Sequence, residues 1–340
     1  VWTVPDVTSD ECLIRAIQLW PNNVGRTLDL RHKKDVNSAF FNSDGNLVIT
    51  ASSDGTVGIW NSNTGKLIHN LVGHIDIVNY AVFNNYANRA ASVGADQNLI
   101  IWDVATGTEL FRKKFTSNIL SVKYSPDDNY LVVASKDGHT YVLDASDLSI
   151  KQDINSYPNG LTWYAEFSPN GQYVLTAGNN GIAKVWEWET NPNNPVQLFD
   201  VRINNYANAI HATYNYNATK VAVCDLSAKK VTVFDVATGD TLYTLTHNDK
   251  PGDNITIFST SFYHDVKYGE LILTAAEDNV RLWDANKGIP APPHIIQEHT
   301  EAVLTAVFNF DAKRILTASR DFTAKIWNLE QRALQMDTTD

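Results

Sequence analysis

Short apolar runs follow one another along the chain, at alternate or contiguous positions, with Gly, Asn, Asp and Ser between them. Within the first clear unit the runs fall at residues 36–41, 47–52, 56–60 and 66–71. Runs of this length, rich in β-branched and aromatic residues and bounded by turn residues, are typical of strands. No stretch of useful length shows the period of an amphipathic helix. The pattern predicts four consecutive strands joined by tight turns.

The four-run unit recurs along the chain with a Trp, or an apolar residue in its place, near its end. These positions are Trp20, Trp60, Trp102, Leu143, Trp186, Phe234, Trp283 and Trp327, between 40 and 49 residues apart. A period in the forties indicates one supersecondary unit, repeated, that buries its apolar face by stacking on its neighbours. At 340 residues the chain also exceeds the roughly 250–300 residues at which a single core usually stops growing.

The motifs within the unit resemble those of the WD40 family of β-propellers, whose repeats carry Gly-His near the start and Trp-Asp near the end. Gly-His is intact at Gly73-His74, and Trp-Asp is intact at Trp102-Asp103 and Trp283-Asp284. In three units a His precedes an Asp by 22 residues, and that Asp precedes the Trp by six. The resemblance covers about residues 26–336.

In each blade, this resemblance implies a buried relay from a His to the Asp of the tight turn, and through a hydroxyl to the Trp indole. Such a network has to be fully paired when it is buried. Two sets are expected to be complete: His32, Ser52, Asp54 and Trp60, and His299, Ser319, Asp321 and Trp327. The set His74, Asp96 and Trp102 is expected to lack the hydroxyl, because Gly94 occupies that place.

The fold class that follows is all-β, a seven-bladed β-propeller of four-stranded antiparallel blades over residues 26–340. Residues 1–25 are expected to form an N-terminal extension or packing segment. In this family the N-terminal strand often completes the last blade, so residues 26–30 are expected to close the ring. Two alternatives are open: residues 332–337 supply that strand, or Trp20 belongs to an eighth blade.

Composition narrows the functional classes. The formal charge of −11 opposes nucleic-acid phosphates and anionic membranes, so neither is an expected partner. Two cysteines form no disulfide framework, which favours a reducing, cytoplasmic location. The chain does not begin with Met, which suggests a segment of a longer chain or a processed one. We expect a monomeric propeller or a domain of a larger chain.

Motifs for catalysis, metals and cofactors are missing from the sequence. It contains no phosphate-binding GxxxxGK[ST], no HExxH and no GxSxG. The three His–Asp pairs lie in separate units and the blade relay explains them, so they do not converge on one site. We therefore predict no catalytic residue, no metal site and no cofactor.

The predicted function is that of a scaffold or adaptor that binds a peptide or partner protein on one face. Related propellers bind through residues beside the start of the innermost strand or before the tight-turn Asp. Carried over to this chain, the predicted contact residues are Ile77, Leu120, Lys136, Leu161, Trp163, Phe258 and Arg320. A Trp in a rimmed apolar patch is typical of interface hot spots, which favours Trp163, although it could instead pack between blades. The alternative function is a small-molecule-binding or catalytic propeller that uses the central channel.

Overall fold

Seven four-stranded antiparallel sheets form a closed ring in the computed structural model, which describes residues 25–189, 195–202, 208–227, 229–247, 255–265 and 269–329. The innermost strand of each sheet contacts the innermost strands of its two neighbours. The predicted all-β, seven-bladed propeller is confirmed. Within the described residues no helix is long and apolar enough to span a bilayer.

The first three blades follow the chain without interruption. Blade 1 consists of β2 (Val36–Phe41), β3 (Leu47–Ser52), β4 (Thr56–Asn61) and β5 (Leu67–Val72). Blade 2 consists of β6 (Val78–Phe83), β7 (Arg89–Gly94), β8 (Asn98–Asp103) and β9 (Glu109–Lys114). Blade 3 consists of β10 (Ile119–Tyr124), β11 (Tyr130–Ser135), β12 (His139–Asp144) and β13 (Ile150–Asn155).

The next three blades repeat the arrangement with longer connections. Blade 4 consists of β14 (Thr162–Phe167), β15 (Tyr173–Gly178), β16 (Ile182–Glu187) and β17 (Val196–Arg202), with a 3-10 turn at Asn179–Gly181. Blade 5 consists of β18 (Ala209–Tyr214), β19 (Lys220–Asp225), β20 (Lys230–Asp235) and β21 (Thr241–Leu245). Blade 6 consists of β22 (Ile257–Asp265), β23 (Gly269–Ala276), β24 (Val280–Asp284) and β25 (Ile289–Ile296).

The last blade joins the two ends of the described chain. Blade 7 consists of β26 (Val303–Phe308), β27 (Arg314–Ser319), β28 (Thr323–Asn328) and, as its outermost strand, β1 (Gly25–Arg31). Leu28 pairs with Ile326, and Leu30 is fully buried. The predicted closure by residues 26–30 is therefore confirmed, and β1 occupies the place that the alternative gave to residues 332–337.

This closure leaves seven blades in the described part of the chain, where β2 packs directly against β26. The alternative of an eighth blade does not fit that ring. Trp20 and residues 332–337 themselves lie outside the described residues, as do most of residues 1–25. The predicted role of residues 1–25 as an extension or packing segment stays a prediction.

The hydrophobic core lies between the blades. The second and third strands are contiguous apolar runs buried along almost their whole length, as β3 shows, whereas the outermost strands β5 and β9 are largely exposed. One cluster joins Val57 and Leu71 of blade 1 to Val78 and Trp102 of blade 2. Each blade thus covers the apolar face of the next, as the repeat requires.

Each innermost strand carries a β-bulge directly after its first residue. We call the end of the ring where these strands begin the upper face, and the end where they finish the lower face. The extra residues at the bulges are Asn37, Asn79, Leu120, Trp163, Ile210, Phe258 and Leu304. A bulge changes the direction of a side chain and interrupts pairing. Each blade therefore has one residue beside the upper face that does not take part in the regular strand pairing.

Candidate functional site

The His–Asp pairs belong to relays within single blades. In blade 1, His32 Nδ1 lies 3.1 Å from Asp54 and Nε2 lies 2.7 Å from Thr50 Oγ1, to which the Trp60 indole donates at 2.8 Å. Burial opposes ionisation of Asp54, but hydrogen bonds from Thr56 and from the Lys33 N–H lower its pKa to about 2. Burial also lowers the pKa of His32. A neutral imidazole beside a carboxylate is therefore part of the blade's packing.

The hydroxyl in this relay differs from the one predicted. Ser52 was expected to reach the indole, but its hydroxyl accepts the Asp54 N–H at 3.1 Å and donates to Lys34 O at 3.3 Å. Ser52 is the last residue of β3 and lies beside the tight turn, whereas Thr50 pairs with Gly58 in the middle of the ladder. The position two residues earlier is therefore the one that faces the indole.

The same correction applies in blade 7. Ser319 accepts the Asp321 N–H, while the bond from the Trp327 indole goes to Thr317 Oγ1 at 2.9 Å. His299 lies 2.7 Å from both Asp321 and Thr317.

The expectation that blade 2 lacks the hydroxyl is wrong. Ser92 accepts the Trp102 indole N–H at 2.8 Å and lies 2.9 Å from His74 Nε2. The other ring nitrogen of His74 lies 2.9 Å from Asp96. The prediction placed the relay hydroxyl at the position of Gly94. That position corresponds to Ser52, which caps the turn in blade 1, and not to Thr50.

Blade 6 contains a complete relay that sequence reasoning missed. His247 lies 2.8 Å from Asp278 and 2.7 Å from Thr274, which accepts the Trp283 indole N–H at 2.8 Å. Two features concealed it. The long connection that follows His247 separates it from its partners, and Asp278 precedes Trp283 by five residues rather than six. The sequence feature that could have revealed this relay is His247 before the long connection, followed by Asp278 in the next tight turn.

The upper face is built from the two sets of positions that the sequence predicted. In blade 3 the Lys136 N–H donates to Asn118 O at 2.9 Å, and in blade 7 the Arg320 N–H donates to Ala302 O at 3.0 Å. These bonds hold each turn residue beside the start of an innermost strand. The side chains of Lys136 and Arg320 are both exposed there.

Phe258 and Arg320, two members of the predicted set, are in direct contact. The Arg320 guanidinium carbon lies 5.4 Å from the centre of the Phe258 ring, so the contact joins blades 6 and 7. Phe258 is half-buried at its bulge. An exposed cation held over a half-buried ring offers both an apolar surface and a positive charge at one point.

Trp163 is half-buried at the bulge of blade 4. Its indole nitrogen is buried and has no hydrogen-bond partner among the described residues, and Asn179 Oδ1 shares that property. The Asn179 N–H donates to Leu161 O at 3.2 Å, which places this amide beside the same strand start. This donor and this acceptor both lie at the upper face of blade 4, where a hydrogen bond from a binding partner could reach them.

The remaining predicted contacts lie on other blades of the same face. Leu120 and Leu161 are half-buried, and Ile77 is 39% exposed. Beside Ile77, the side chain of Ile75 is 90% exposed, which sequence reasoning overlooked because it considered only strand starts and turns. Blade 2 thus presents the most accessible apolar side chains of the set, and blades 6 and 7 present the cation–ring pair.

The described residues do not meet the requirements of a metal site. Among the described residues, no group of three or more His, Cys, Asp or Glu side chains is placed to hold a metal ion. The free Cys224 is buried, and burial raises the pKa of its thiol.

Parts of the chain are similar in sequence to known proteins. The serine-threonine kinase receptor-associated protein of Gallus gallus is 34% identical over 120 residues, covering 34% of this chain and 30% of that protein. The target of rapamycin complex subunit LST8-1 of Arabidopsis thaliana is 33% identical over 66 residues, covering 19% and 22%. Apoptotic protease-activating factor 1 of Rattus norvegicus is 25% identical over 327 residues, covering 94% of this chain and 24% of that protein. The matches thus span less than a third of each relative's own length.

Family models match most of the propeller. Residues 291–328 match the WD domain, G-beta repeat. Residues 27–242 match the NWD2 C-terminal beta-propeller, which is more than half of the 340-residue chain. The chain therefore belongs to the NWD2 C-terminal β-propeller family and is a propeller of WD40 repeats.

Proposed function

We propose that this propeller is a non-catalytic interaction platform that binds a peptide segment or a partner protein through its upper face. The names of two relatives support a role in assemblies, since one is receptor-associated and the other is a complex subunit. The relatives do not favour the alternative of a catalytic or small-molecule-binding propeller. A cytoplasmic location stays a prediction.

The observation that carries the proposal is the Phe258–Arg320 pair on the same face as Trp163. Trp and Arg are enriched among interface hot spots, and bulges often direct side chains toward binding partners. Lys136 and Arg320 place two exposed cations on this face although the chain as a whole carries −11. The segment that fits is one with an apolar anchor next to an acidic residue.

The test compares affinity capture from a lysate of the source cells by the wild-type chain and by a Trp163→Ala, Phe258→Ala double variant. A partner retained by the wild type should then be titrated against both, and against Arg320→Glu. Because truncation of a hot-spot residue costs about 2 kcal/mol or more, affinity should fall by roughly thirty-fold or more.

The matched control is Leu110→Ala, which removes an exposed apolar side chain from the outer strand β9. It should bind the partner as the wild type does. Thermal unfolding of each variant checks that the propeller is intact. Equal binding by the double variant and the wild type would place the site elsewhere on the ring.

A further inference from the structure

The channel opens at the lower face into a cavity of about 600 Å³. Its walls are the ends of the innermost strands and the turns that follow them, at the opposite end of the ring from Trp163 and Arg320. Aromatic side chains surround the mouth: Phe310 is 60% exposed, and Tyr216, 55% exposed, packs against His264 with tilted rings whose centres are 4.2 Å apart. This volume lies within the range of ligand pockets, about 300–1,000 Å³.

Two charged side chains, Lys123 and Glu166, line this cavity from neighbouring strands, and we call them the channel floor. Lys123 is the next-to-last residue of β10, and Glu166 is the next-to-last residue of β14. Both project from the lower ends of adjacent innermost strands. The predicted set of contact residues contains neither, because it was confined to the upper face.

Glu166 and Lys123, the two members of the channel floor, differ in their hydrogen bonding. Glu166 accepts the Tyr164 O–H at 2.9 Å and the Tyr214 N–H at 2.8 Å. The Lys123 ammonium lies 4.0 Å from the centre of the Phe40 ring, but it makes no hydrogen bond or salt bridge with the described residues. Its three N–H donors thus face an aromatic ring on one side and the cavity on the other.

The Glu166 carboxylate favours the charged form of Lys123 through space, but the ammonium still lacks a hydrogen-bond acceptor, which a ligand carboxylate would supply. Burial lowers the pKa of Lys123 to about 8, which leaves the group mainly charged at neutral pH. Burial raises the pKa of Glu166, and the Thr213 side chain is a further hydrogen-bonding partner, so about one of its roughly four acceptor sites remains for a neutral N–H. The channel floor therefore complements a carboxylate that stands next to an amide N–H.

We propose that the lower mouth of the channel binds the C-terminal residue of a partner polypeptide, with its carboxylate at Lys123 and its backbone N–H at Glu166. The apolar side chain of that residue packs against Tyr216 and Phe310, and the preceding residues leave through the open mouth. Captured terminal carboxylates are an established mode of peptide recognition. This proposed site at the lower mouth is separate from the proposed binding site on the upper face.

A polypeptide end fits the channel floor better than a free amino acid. The free amino acid carries an ammonium in place of the amide N–H, and the Glu166 carboxylate accepts either group, so charge does not exclude it. However, it lacks the preceding residues, which a cavity of this size and a mouth lined by Tyr216 and Phe310 can contact. The shared chemistry is the α-carboxylate, so the test has to separate the two sources.

The experiment titrates the full chain with acetyl-Ala-Ala-Phe bearing a free C-terminal carboxylate, and in parallel with the same peptide as its C-terminal amide. Isothermal calorimetry should show the acid binding at least ten-fold more tightly than the amide. Lys123→Met should abolish this preference, and Glu166→Gln, which retains an acceptor, should weaken binding less. Lys136→Met, on the upper face, is the matched control and should bind the acid as the wild type does.

Several outcomes would overturn the proposal. Equal affinity for the acid and the amide, or no binding of either at millimolar concentration, would exclude carboxylate capture. Unchanged binding by a folded Lys123→Met variant would also do so, and Lys123→Arg, which keeps the cation, serves as a second folded comparison. Free phenylalanine binding as tightly as the peptide would show a small-molecule site instead. Trp163→Ala should lose the upper-face partner and still bind the peptide acid as the wild type does. The two proposals can therefore be refuted independently.

Discussion

The hydroxyl of Thr50 serves two neighbours at once, the Trp60 indole that donates to it and the His32 ring nitrogen 2.7 Å away. Thr50→Val keeps the shape of the side chain and removes the oxygen, leaving both groups without this partner. Since each buried unsatisfied group costs about 1–3 kcal/mol, the free energy of unfolding should fall by about 2–6 kcal/mol. Urea unfolding followed by Trp fluorescence measures this loss.

Two substitutions serve as controls for Thr50→Val. Thr50→Ser retains the hydroxyl and should cost clearly less. Ser52→Ala removes one bond to the Asp54 N–H and one to a carbonyl, both at the turn, and leaves the indole bond intact. If Ser52→Ala proved more damaging than Thr50→Val, the relay would depend on the turn rather than on the indole.

At the scale of the element, blade 4 replaces the relay His with a Tyr. The Tyr157 hydroxyl donates to Ile182 O at 2.7 Å, and the Trp186 indole donates to Thr176 Oγ1 at 3.0 Å. The larger ring is accommodated because Gly178 has no side chain: a Cβ there would lie 2.4 Å from the Tyr157 ring. In this blade the large Tyr157 at the relay position is thus matched by Gly178, which has no side chain, at the end of the second strand.

Gly178→Ala should therefore destabilise the propeller through overpacking. The expected loss is about 1–3 kcal/mol in the free energy of unfolding, because neither the ring nor the strand can move far. Denaturant unfolding of Gly178→Ala in the wild-type and Tyr157→Leu backgrounds measures how much of the loss comes from the ring.

The cost of Gly178→Ala should be smaller by about 0.5–3 kcal/mol in the Tyr157→Leu background, as expected for residues in contact. The added Cβ would also meet Leu161 O at 2.6 Å, so part of the cost should remain in both backgrounds. An undiminished cost would assign the effect to this carbonyl and not to the ring.

The elements themselves could be predicted from sequence, because contiguous β-branched runs and Gly or Asn turns determine strands locally. The partners within the relay could not. Thr50 and Ser52 are two residues apart on one strand, so they share a face, and only the ladder shows which one meets the indole. The binding chemistry was harder still. Lys123 and Glu166 are 43 residues apart, and neither stands in a motif, so only the stacking of blade 3 on blade 4 brings them together.

At the scale of the whole molecule, stability depends on closing the ring between the two ends of the described chain. Strand β1 pairs with β28 from Gly25 to Arg31, and its Leu30 packs in one cluster with Trp60 of blade 1 and Ile326 of blade 7. The closing strand thus supports two blades at once. It also covers a strand edge that would otherwise be open to pairing with other chains.

Removing residues 1–31 should therefore destabilise the entire propeller rather than one blade. The truncated chain loses the burial of Leu30 and exposes the edge of β28, so both its unfolding midpoint and its solubility should fall. Leu30→Ala tests the packing part alone and should cost about 2–5 kcal/mol, as for other buried leucines. Thermal unfolding and size-exclusion chromatography read out the two effects separately.

The matched comparison is a chain that begins at Gly25, which keeps β1 and its pairing with β28. If closure is what matters, this chain should unfold at a higher temperature than the one that begins at His32, and it should elute as a monomer where the other associates. Identical midpoints for the two chains would mean that blade 7 is stable with three strands and that the ring does not require closure. An intermediate result, with a lower midpoint but no association, would separate the energetic role of Leu30 from the protection of the β28 edge.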